Sequence, residues 1–137
     1  KRYELDCDSS FPIFFRVVDF CNFVDCDPNE FPGAPVEAVK RLLVRNSLRV
    51  DDIDRIECNE AFAVVPMHFM EETGFPHEKL NVWGGAIANG HPLGASGIKI
   101  TLSLLYGLQE TGGRYGISVL CYGGGGALAM LVENLRA

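Results

Sequence analysis

Three polar side chains occur where predicted strands end and glycine or a helix start follows. Asn59 comes directly after a predicted strand, His91 lies in a glycine-dense loop, and four glycines begin two residues after Cys121. An amide, an imidazole and a thiol suit acyl chemistry, because they supply an oxyanion donor, a base, and an acid/base or nucleophile. Strand ends in a layered α/β domain gather at one edge of the sheet, so we predict that the three side chains converge there.

Asn59 has two interpretations. Asparagine is a favoured helix N-cap, and a glutamate beside it (Glu60) suits the positive end of a helix. The sequence alone leaves open whether Asn59 caps a helix or takes part in a reaction.

His91 lies within residues 84–97, which hold five of the 15 glycines. Glycines this dense cost chain entropy unless the backbone turns sharply or is approached closely. A lone histidine is usually structural. One held between Gly90 and the rigid Pro92, just before a helix, is a candidate general base.

Cys121 precedes a run of four glycines, Gly123 to Gly126. Exposed backbone N–H groups in such a loop bind a phosphate or an oxyanion. The printed sequence contains no P-loop motif, which favours the oxyanion.

Alternating strands and helices position these residues. The hydrophobic periodicity predicts strands over 13–24, 53–58, 115–122 and 127–133, and helices over 35–48, 60–72 and around 98–108. The order β-α-β-α-(loop)-α-β-β predicts a layered α/β domain with a mixed sheet, helices packed on it and an antiparallel final pair. Pro66 counts against a regular second helix unless it kinks there. The third helix is apolar nearly all round and is expected to be buried.

Composition excludes several classes of protein. The chain has 137 residues, 47% hydrophobic and 22% charged, which suits a globular core. Its net charge of −6 argues against binding to duplex nucleic acid or an anionic membrane surface. The longest apolar stretch, 127–132, is too short to span a bilayer. The five cysteines lack zinc spacing, so we expect reduced thiols in an intracellular protein and no metal site.

Three motifs together resemble the thiolase family, specifically its C-terminal domain. They are Asn59-Glu60-Ala61-Phe62, the run 84–97 centred on Gly90-His91-Pro92, and Cys121-x-Gly123-Gly124-Gly125. The similarity extends from about Phe14 to the end, so we expect a polar lead-in over 1–12 and a thiolase C-terminal-type domain over 13–137. Since the chain opens at Lys1 without methionine, we also expect it to be a fragment of a longer chain.

The resemblance implies a role for each motif residue. His91 would activate a nucleophilic cysteine and hydrogen-bond the thioester oxygen. Asn59 would hold a water that forms an oxyanion hole with His91. Cys121 would exchange the α-proton of the second acetyl group. These roles suit Claisen chemistry, in which an enolate and a tetrahedral oxyanion both need preorganised donors.

Further roles follow from the same resemblance. The backbone N–H of Gly123 would contribute to a second oxyanion hole. Ala61 and Phe62 would line the path of the pantetheine arm, although a place in the core is an equally good interpretation of both. Asn89 departs from the family, which usually has an aliphatic residue there.

The family's acyl-accepting cysteine belongs to the N-terminal domain, and no segment here resembles its surroundings. Cys7, Cys21 and Cys26 lie in the wrong context to replace it. The resemblance therefore implies half an active site, which is inactive without the N-terminal thiolase domain.

The implied function is acetyl-CoA C-acetyltransferase, an acyltransferase that condenses two acetyl-CoA molecules to acetoacetyl-CoA and CoA, and the reverse. A 3-ketoacyl-CoA thiolase for longer chains and a non-catalytic acyl-CoA-binding module are the alternatives. The CoA thioester is the substrate, and no further cofactor is expected. The resemblance also implies a homo-oligomer, dimer or tetramer, in the mitochondrion or cytoplasm.

Overall fold

The computed structural model describes residues 14–137, which form a four-stranded sheet with helices packed on it. The strands are β1 (Phe15–Val24), β2 (Arg55–Cys58), β3 (Tyr115–Tyr122) and β4 (Gly126–Asn134). The helices are α1 (Ala34–Arg45), α2 (Val64–Thr73), α3 (Ala86–Asn89) and α4 (Ser96–Thr111), with short 3₁₀ turns at Pro28–Gly33, Val50–Asp52 and His77–Lys79. The predicted order of elements is confirmed; α3 and the 3₁₀ turns were not predicted. The predicted lead-in, 1–12, lies outside the described residues.

The sheet is mixed, with strand order β1-β4-β3-β2. β2 runs parallel to β3, whereas β4 is antiparallel to both β3 and β1. The glycine turn after Tyr122 joins β3 to β4 as a hairpin, as predicted. The parallel pair places the carboxyl ends of β2 and β3 side by side, which is where the motif residues begin.

Helix α1 is amphipathic and covers one face of the sheet. Its apolar side is fully buried, with Val39 and Leu42 both at 0% exposure. The helix ends at Arg45 rather than at residue 48, because Asn46 bonds back to the Leu42 carbonyl and Ser47 takes a left-handed φ of 55°.

Helix α2 begins at Val64, four residues later than predicted. Pro66 therefore lies in its first turn, where backbone N–H groups have no intrahelical partner and a proline costs nothing. The expected break or kink at Pro66 is wrong for this reason. Gly74 ends the helix with φ 74°.

Helix α4 is not buried all round, which corrects the prediction. Leu104 and Leu108 are at 0% exposure against the sheet, but Ile98 and Tyr106 on the other side are 69% and 63% exposed. The sheet covers only one side of the helix. The exposed side continues across Val17, Phe20, Leu102, Leu128 and Met130, which line an apolar groove of about 490 Å³. We call this surface the α4 apolar face.

No helix among residues 14–137 has the length and hydrophobicity to cross a membrane.

Candidate active site

Asn59 and His91 meet at the carboxyl end of β2. The Asn59 backbone N–H donates to the Val119 carbonyl at 2.9 Å, so Asn59 continues the pairing of β2 with β3. Its side chain is 1% exposed, and Nδ2 lies 3.5 Å from His91 Nε2. Since α2 starts only at Val64, the interpretation of Asn59 as a helix N-cap is wrong.

Ser96, at the start of α4, holds the other ring nitrogen of His91. Ser96 Oγ donates to the Pro92 carbonyl at 3.0 Å and lies 2.6 Å from His91 Nδ1. Because the hydroxyl hydrogen is used on Pro92, Ser96 accepts from Nδ1–H. That tautomer leaves the lone pair of Nε2 pointing toward Asn59, so His91 is set to accept a proton at Nε2. Sequence reasoning missed Ser96; its position five residues after a loop histidine was the available signal.

Replacing Ser96 by alanine is expected to remove the preference of His91 for one tautomer. Without the hydroxyl, Nδ1–H loses its acceptor, and the neutral ring should populate both tautomers instead of one. The ¹⁵N chemical shifts of the His91 ring report this directly in the labelled chain. Ser118→Ala is the matched control, since Ser118 is also buried but shares its hydroxyl with Thr101. Unchanged ring shifts in Ser96→Ala would contradict the assignment.

Glu60 ties the Asn59 loop to the glycine-rich loop. Its carboxylate accepts from the Ile87 N–H at 2.9 Å and from Asn81 Nδ2 at 3.0 Å. A Cβ at Gly85 would lie 2.3 Å from the Glu60 carboxyl carbon, so this close approach requires glycine. Asn81 also brackets Cys58, accepting from its N–H and donating to its carbonyl, both at 2.8 Å. Glu60 therefore links two loops by hydrogen bonds and does not lie in the first turn of a helix, as the sequence had suggested. The role of Asn81 was not predicted.

Lys99 and Asn89 fix the end of helix α3 next to His91. Lys99 Nζ donates to the carbonyls of Asn89 and Gly90 at 3.0 and 2.9 Å. The Asn89 amide donates to the Gly84 carbonyl at 3.1 Å, a contact that an aliphatic side chain lacks. Asparagine in place of the aliphatic residue usual in the family therefore adds a hydrogen bond across the loop, from Asn89 to Gly84.

Cys121 is the second-last residue of β3 and is 9% exposed. It lies two residues beyond Val119, the partner of Asn59, which is roughly 7 Å along the strand. Burial raises the pKa of the Cys121 thiol, so the thiol is protonated at neutral pH. The structure thus places Asn59 and Cys121 at the carboxyl ends of the neighbouring strands β2 and β3, with Asn59 in contact with His91.

The glycine turn after Cys121 is anchored at Gly125. Gly124 and Gly125 have φ of 92° and 80°, a region that favours glycine. The Cys26 N–H donates to the Gly125 carbonyl at 3.2 Å, and a Cβ at Gly125 would lie 2.0 Å from the Cys26 carbonyl oxygen. Gly123 is exposed, and no atom lies within 4 Å of where its Cβ would stand, so the space beside its Cα is open.

Ala61 and Phe62 differ in burial. Ala61 packs against the core, whereas Phe62 is 63% exposed and meets Phe31 edge-on with ring centroids 5.6 Å apart. The core interpretation is therefore wrong for Phe62 and fits Ala61.

The cysteines are unpaired within residues 14–137. Cys21 is a buried core thiol and Cys26 is half-buried, whereas Cys7 lies outside the described residues. Burial also raises the pKa of Cys58, which is 1% exposed. Across 14–137, no three His, Cys, Asp or Glu side chains are grouped so as to hold a metal ion.

Comparison with known proteins identifies the family. The thiolase C-terminal domain profile matches residues 13–134. The chain is 47% identical over 110 residues to acetyl-CoA acetyltransferase IA of Candida tropicalis, covering 80% of this chain and 27% of that protein. It is 43% identical over 108 residues to the cytosolic acetyl-CoA acetyltransferase of Rattus norvegicus, covering 79% and 27%.

A solved structure agrees with these sequence matches. The Acat5 thiolase of Ascaris suum, crystallised in complex with coenzyme A, superposes with a TM-score of 0.85 at 36% identity, covering 90% of this chain and 32% of that one. The chain thus spans about a quarter to a third of the length of these relatives. This protein chain belongs to the thiolase family and corresponds to its C-terminal domain.

Proposed function

We propose that this chain supplies the C-terminal half of the active site of an acetyl-CoA C-acetyltransferase. The observation that carries the proposal is the Ser96–His91–Asn59 arrangement, in which Ser96 Oγ lies 2.6 Å from Nδ1 of the imidazole and the buried Asn59 amide lies 3.5 Å from Nε2. Relatives at 43–47% identity bear that enzyme's name.

His91 acts as the base in this mechanism. Nε2 takes the proton from the cysteine thiol of the N-terminal half, and the resulting thiolate attacks the carbonyl carbon of the acyl thioester. When the tetrahedral intermediate collapses, its bond to the CoA sulfur breaks and the leaving CoA takes the proton from Nε2. Ser96 stabilises the imidazolium that forms, because Nδ1–H stays bonded to its hydroxyl. With both nitrogens then protonated, Nε2–H becomes a donor toward the thioester oxygen.

Asn59 and Cys121 serve the second half-reaction. The Asn59 amide lies 3.5 Å from His91 Nε2, and a water held by this amide forms with His91 an oxyanion hole for the developing enolate oxygen. In thiolysis the neutral Cys121 thiol protonates the leaving acetyl enolate; in condensation its thiolate removes the α-proton. The Gly123 N–H, in its open turn, donates to the oxyanion of the tetrahedral intermediate.

The pantetheine arm of the CoA thioester passes over Phe62. This ring is exposed three residues from Asn59 and is braced edge-on by Phe31, so it offers a fixed apolar surface to a flexible substrate. Ala61, the residue before Phe62, packs against the core. The CoA thioester is the substrate, and the proposed mechanism uses no cofactor.

Two alternatives remain distinguishable. A 3-ketoacyl-CoA thiolase for longer chains uses the same residues, and rates with acyl chains of different length separate the two. A non-catalytic acyl-CoA-binding module needs no base with a fixed tautomer, so the Ser96–His91 contact disfavours it.

The α4 apolar face supports the need for an N-terminal half. A soluble domain rarely leaves Ile98, Leu102 and Tyr106 exposed beside an apolar groove of about 490 Å³. The N-terminal thiolase domain covers this face and brings its cysteine to His91. A dimer or tetramer, and a mitochondrial or cytoplasmic location, stay predictions.

The isolated 137-residue chain is expected to turn over no acetoacetyl-CoA with CoA, because covalent catalysis needs the absent cysteine. Loss of thioester absorbance measures this, and adding the N-terminal half should restore turnover. Chains with Cys7, Cys21 or Cys26 changed to serine serve as controls. Turnover by the purified chain that disappears in one of these variants would identify a nucleophile here and contradict the proposal.

A further inference from the structure

Two charged side chains of β2 are buried beneath α4. Arg55 and Glu57 are 7% and 2% exposed and, being two residues apart on a strand, share one face. Among residues 14–137, neither Arg55 Nη1 nor Glu57 Oε1 has a hydrogen-bond partner, and both atoms are inaccessible. Buried polar atoms are almost always paired, so both require an explanation.

Arg55 is held by contacts other than Glu57. Its guanidinium carbon lies 4.9 Å from the centroid of the Trp83 ring. Gly107 makes room for it, since a Cβ there would lie 1.7 Å from Arg55 Nη1. No salt bridge joins Arg55 to Glu57 within the described part of the chain. The partner of the Glu57 carboxyl must therefore lie elsewhere.

A small cavity beside Glu57 has room for a hydrogen-bond partner of its carboxyl group. Its volume is about 10 Å³, close to the space that a single water needs. Besides Glu57, its lining includes Asn59, Gly85, Gly90, Lys99 and Ser103. Lys99 uses two of its three N–H donors on the carbonyls of Asn89 and Gly90, which leaves the third. The lining therefore offers the two to four polar partners that hold a buried water in place.

We propose that this cavity binds one water molecule, through which Glu57 acts as a positioning residue for the Asn59 amide. The proposal rests on the function proposed above, in which that amide faces His91. Among the described residues, the buried Asn59 side chain has one contact, from Nδ2 to His91 Nε2, and at 3.5 Å it is long. The proposed water would give the Asn59 side chain a second contact.

The direction of the hydrogen bonds explains why a carboxylate suits this position. An ionised carboxylate only accepts, so the water must donate one hydrogen to Glu57 and keeps the other for Asn59 Oδ1. With Oδ1 held in this way, Nδ2 is the end of the amide that points to His91. A neutral carboxyl or an amide both donates and accepts, so the water loses its fixed direction and Asn59 its fixed orientation.

Ionisation of Glu57 thereby couples the site to pH. Burial raises the pKa of Glu57 to about 7; Arg55 opposes the rise and Glu60 adds to it. The other charged or titratable groups around it are Lys99 from α4 and the Cys58 thiol next to it on β2. Above pH 7 the carboxylate orients the water; below pH 7 the neutral carboxyl no longer does.

The test is Glu57→Gln in the full-length protein, assayed for thiolysis at pH 8.5 and pH 5.5. At pH 8.5 the variant should be about 3- to 10-fold slower in kcat, the worth of one hydrogen bond, with KM for CoA unchanged. At pH 5.5 wild type has lost the same orientation, so the ratio should approach one. A deficit of equal size at both pH values would be merely structural and would overturn the proposal.

Glu133→Gln is the matched control. Glu133 is also buried, at 5% exposure, but it pairs with Arg114 and Arg16 at the opposite end of the sheet. Its replacement should leave the dependence of kcat on pH unchanged.

Two measurements test the proposal without activity. A crystal structure of the wild-type protein near pH 8 should show a water bonded to both Glu57 and Asn59; an empty cavity would overturn the proposal. Urea unfolding should show a larger stabilisation of Glu57→Gln over wild type at pH 8 than at pH 5, because the wild type must bury the ionised carboxyl only at the higher pH. An inactive wild type would refute the proposed function and leave both measurements valid.

Discussion

Changing His91 to asparagine is expected to suppress acyl transfer to the nucleophilic cysteine and also the release of the acyl group by CoA. The imidazole serves both steps, first as the base that generates the thiolate and then as a donor to the thioester oxygen. Loss of a general base commonly costs roughly 10²–10⁴-fold in rate. The asparagine side chain still reaches Ser96 but has no proton acceptor of comparable basicity at the position of Nε2.

The measurement separates the two half-reactions. Rapid mixing of the full-length variant with acetyl-CoA reports the burst of acyl-enzyme, and steady-state thiolysis reports the complete cycle. His77→Asn is the control, since His77 is exposed in a 3₁₀ turn away from the site. A normal acyl-enzyme burst in His91→Asn would remove His91 from the role of base.

The elements that local sequence predicted well are those whose ends are chemically marked. Strand β3 has the predicted bounds, 115–122, because glycines flank it on both sides. Helix α4 ends where Gly112, the first of two consecutive glycines, adopts a left-handed φ of 70°. Such signals act within a few residues and need no knowledge of the rest of the fold.

The errors arose where a distant contact overrides the local pattern. Residues 60–63 have the composition of a helix start, but Glu60 instead accepts hydrogen bonds from Asn81 and Ile87 more than 20 residues away. The apolar residues of α4 predicted burial, yet the side bearing Ile98 and Tyr106 has no sheet to pack on. In the first case the deciding partners are distant in sequence, and in the second the sheet covers only one side of the helix.

The residues of the candidate site also fall into two groups, those that the local sequence predicted and those that depend on distant contacts. Asn59, His91 and Cys121 were predicted as site residues because of their residue types at strand and loop ends, because glycines lie beside His91 and Cys121, and because the motifs resemble a family. The residues that hold them are ordinary by type: Ser96 is one serine in a helix start, and Glu57 is one carboxyl in a strand. Their importance lies in burial and hydrogen-bond direction, which only the folded chain reveals.

Changing Cys121 to alanine is expected to abolish condensation while leaving acyl transfer from acetyl-CoA to the nucleophilic cysteine detectable. The substitution affects the two steps differently. Forming the acyl-enzyme requires His91 and an oxyanion hole, whereas only the condensation requires a group that removes the α-proton. We expect a loss of roughly 10²–10⁴-fold in the rate of acetoacetyl-CoA formation. The burst of acyl-enzyme should keep most of its amplitude.

The pH dependence sharpens this test. Burial raises the pKa of Cys121, so the thiolate needed to remove the α-proton becomes available only as pH rises, while the neutral thiol needed for thiolysis is present at neutral pH. In wild type at pH 8.5 and above, where Glu57 is already ionised, condensation should therefore gain from an increase in pH that thiolysis does not share. Cys21→Ala is the matched control, since Cys21 is also a buried strand thiol but belongs to β1. Unimpaired condensation in Cys121→Ala would return Cys121 to the same structural role, and the acid/base of the second half-reaction would then have to come from the N-terminal half.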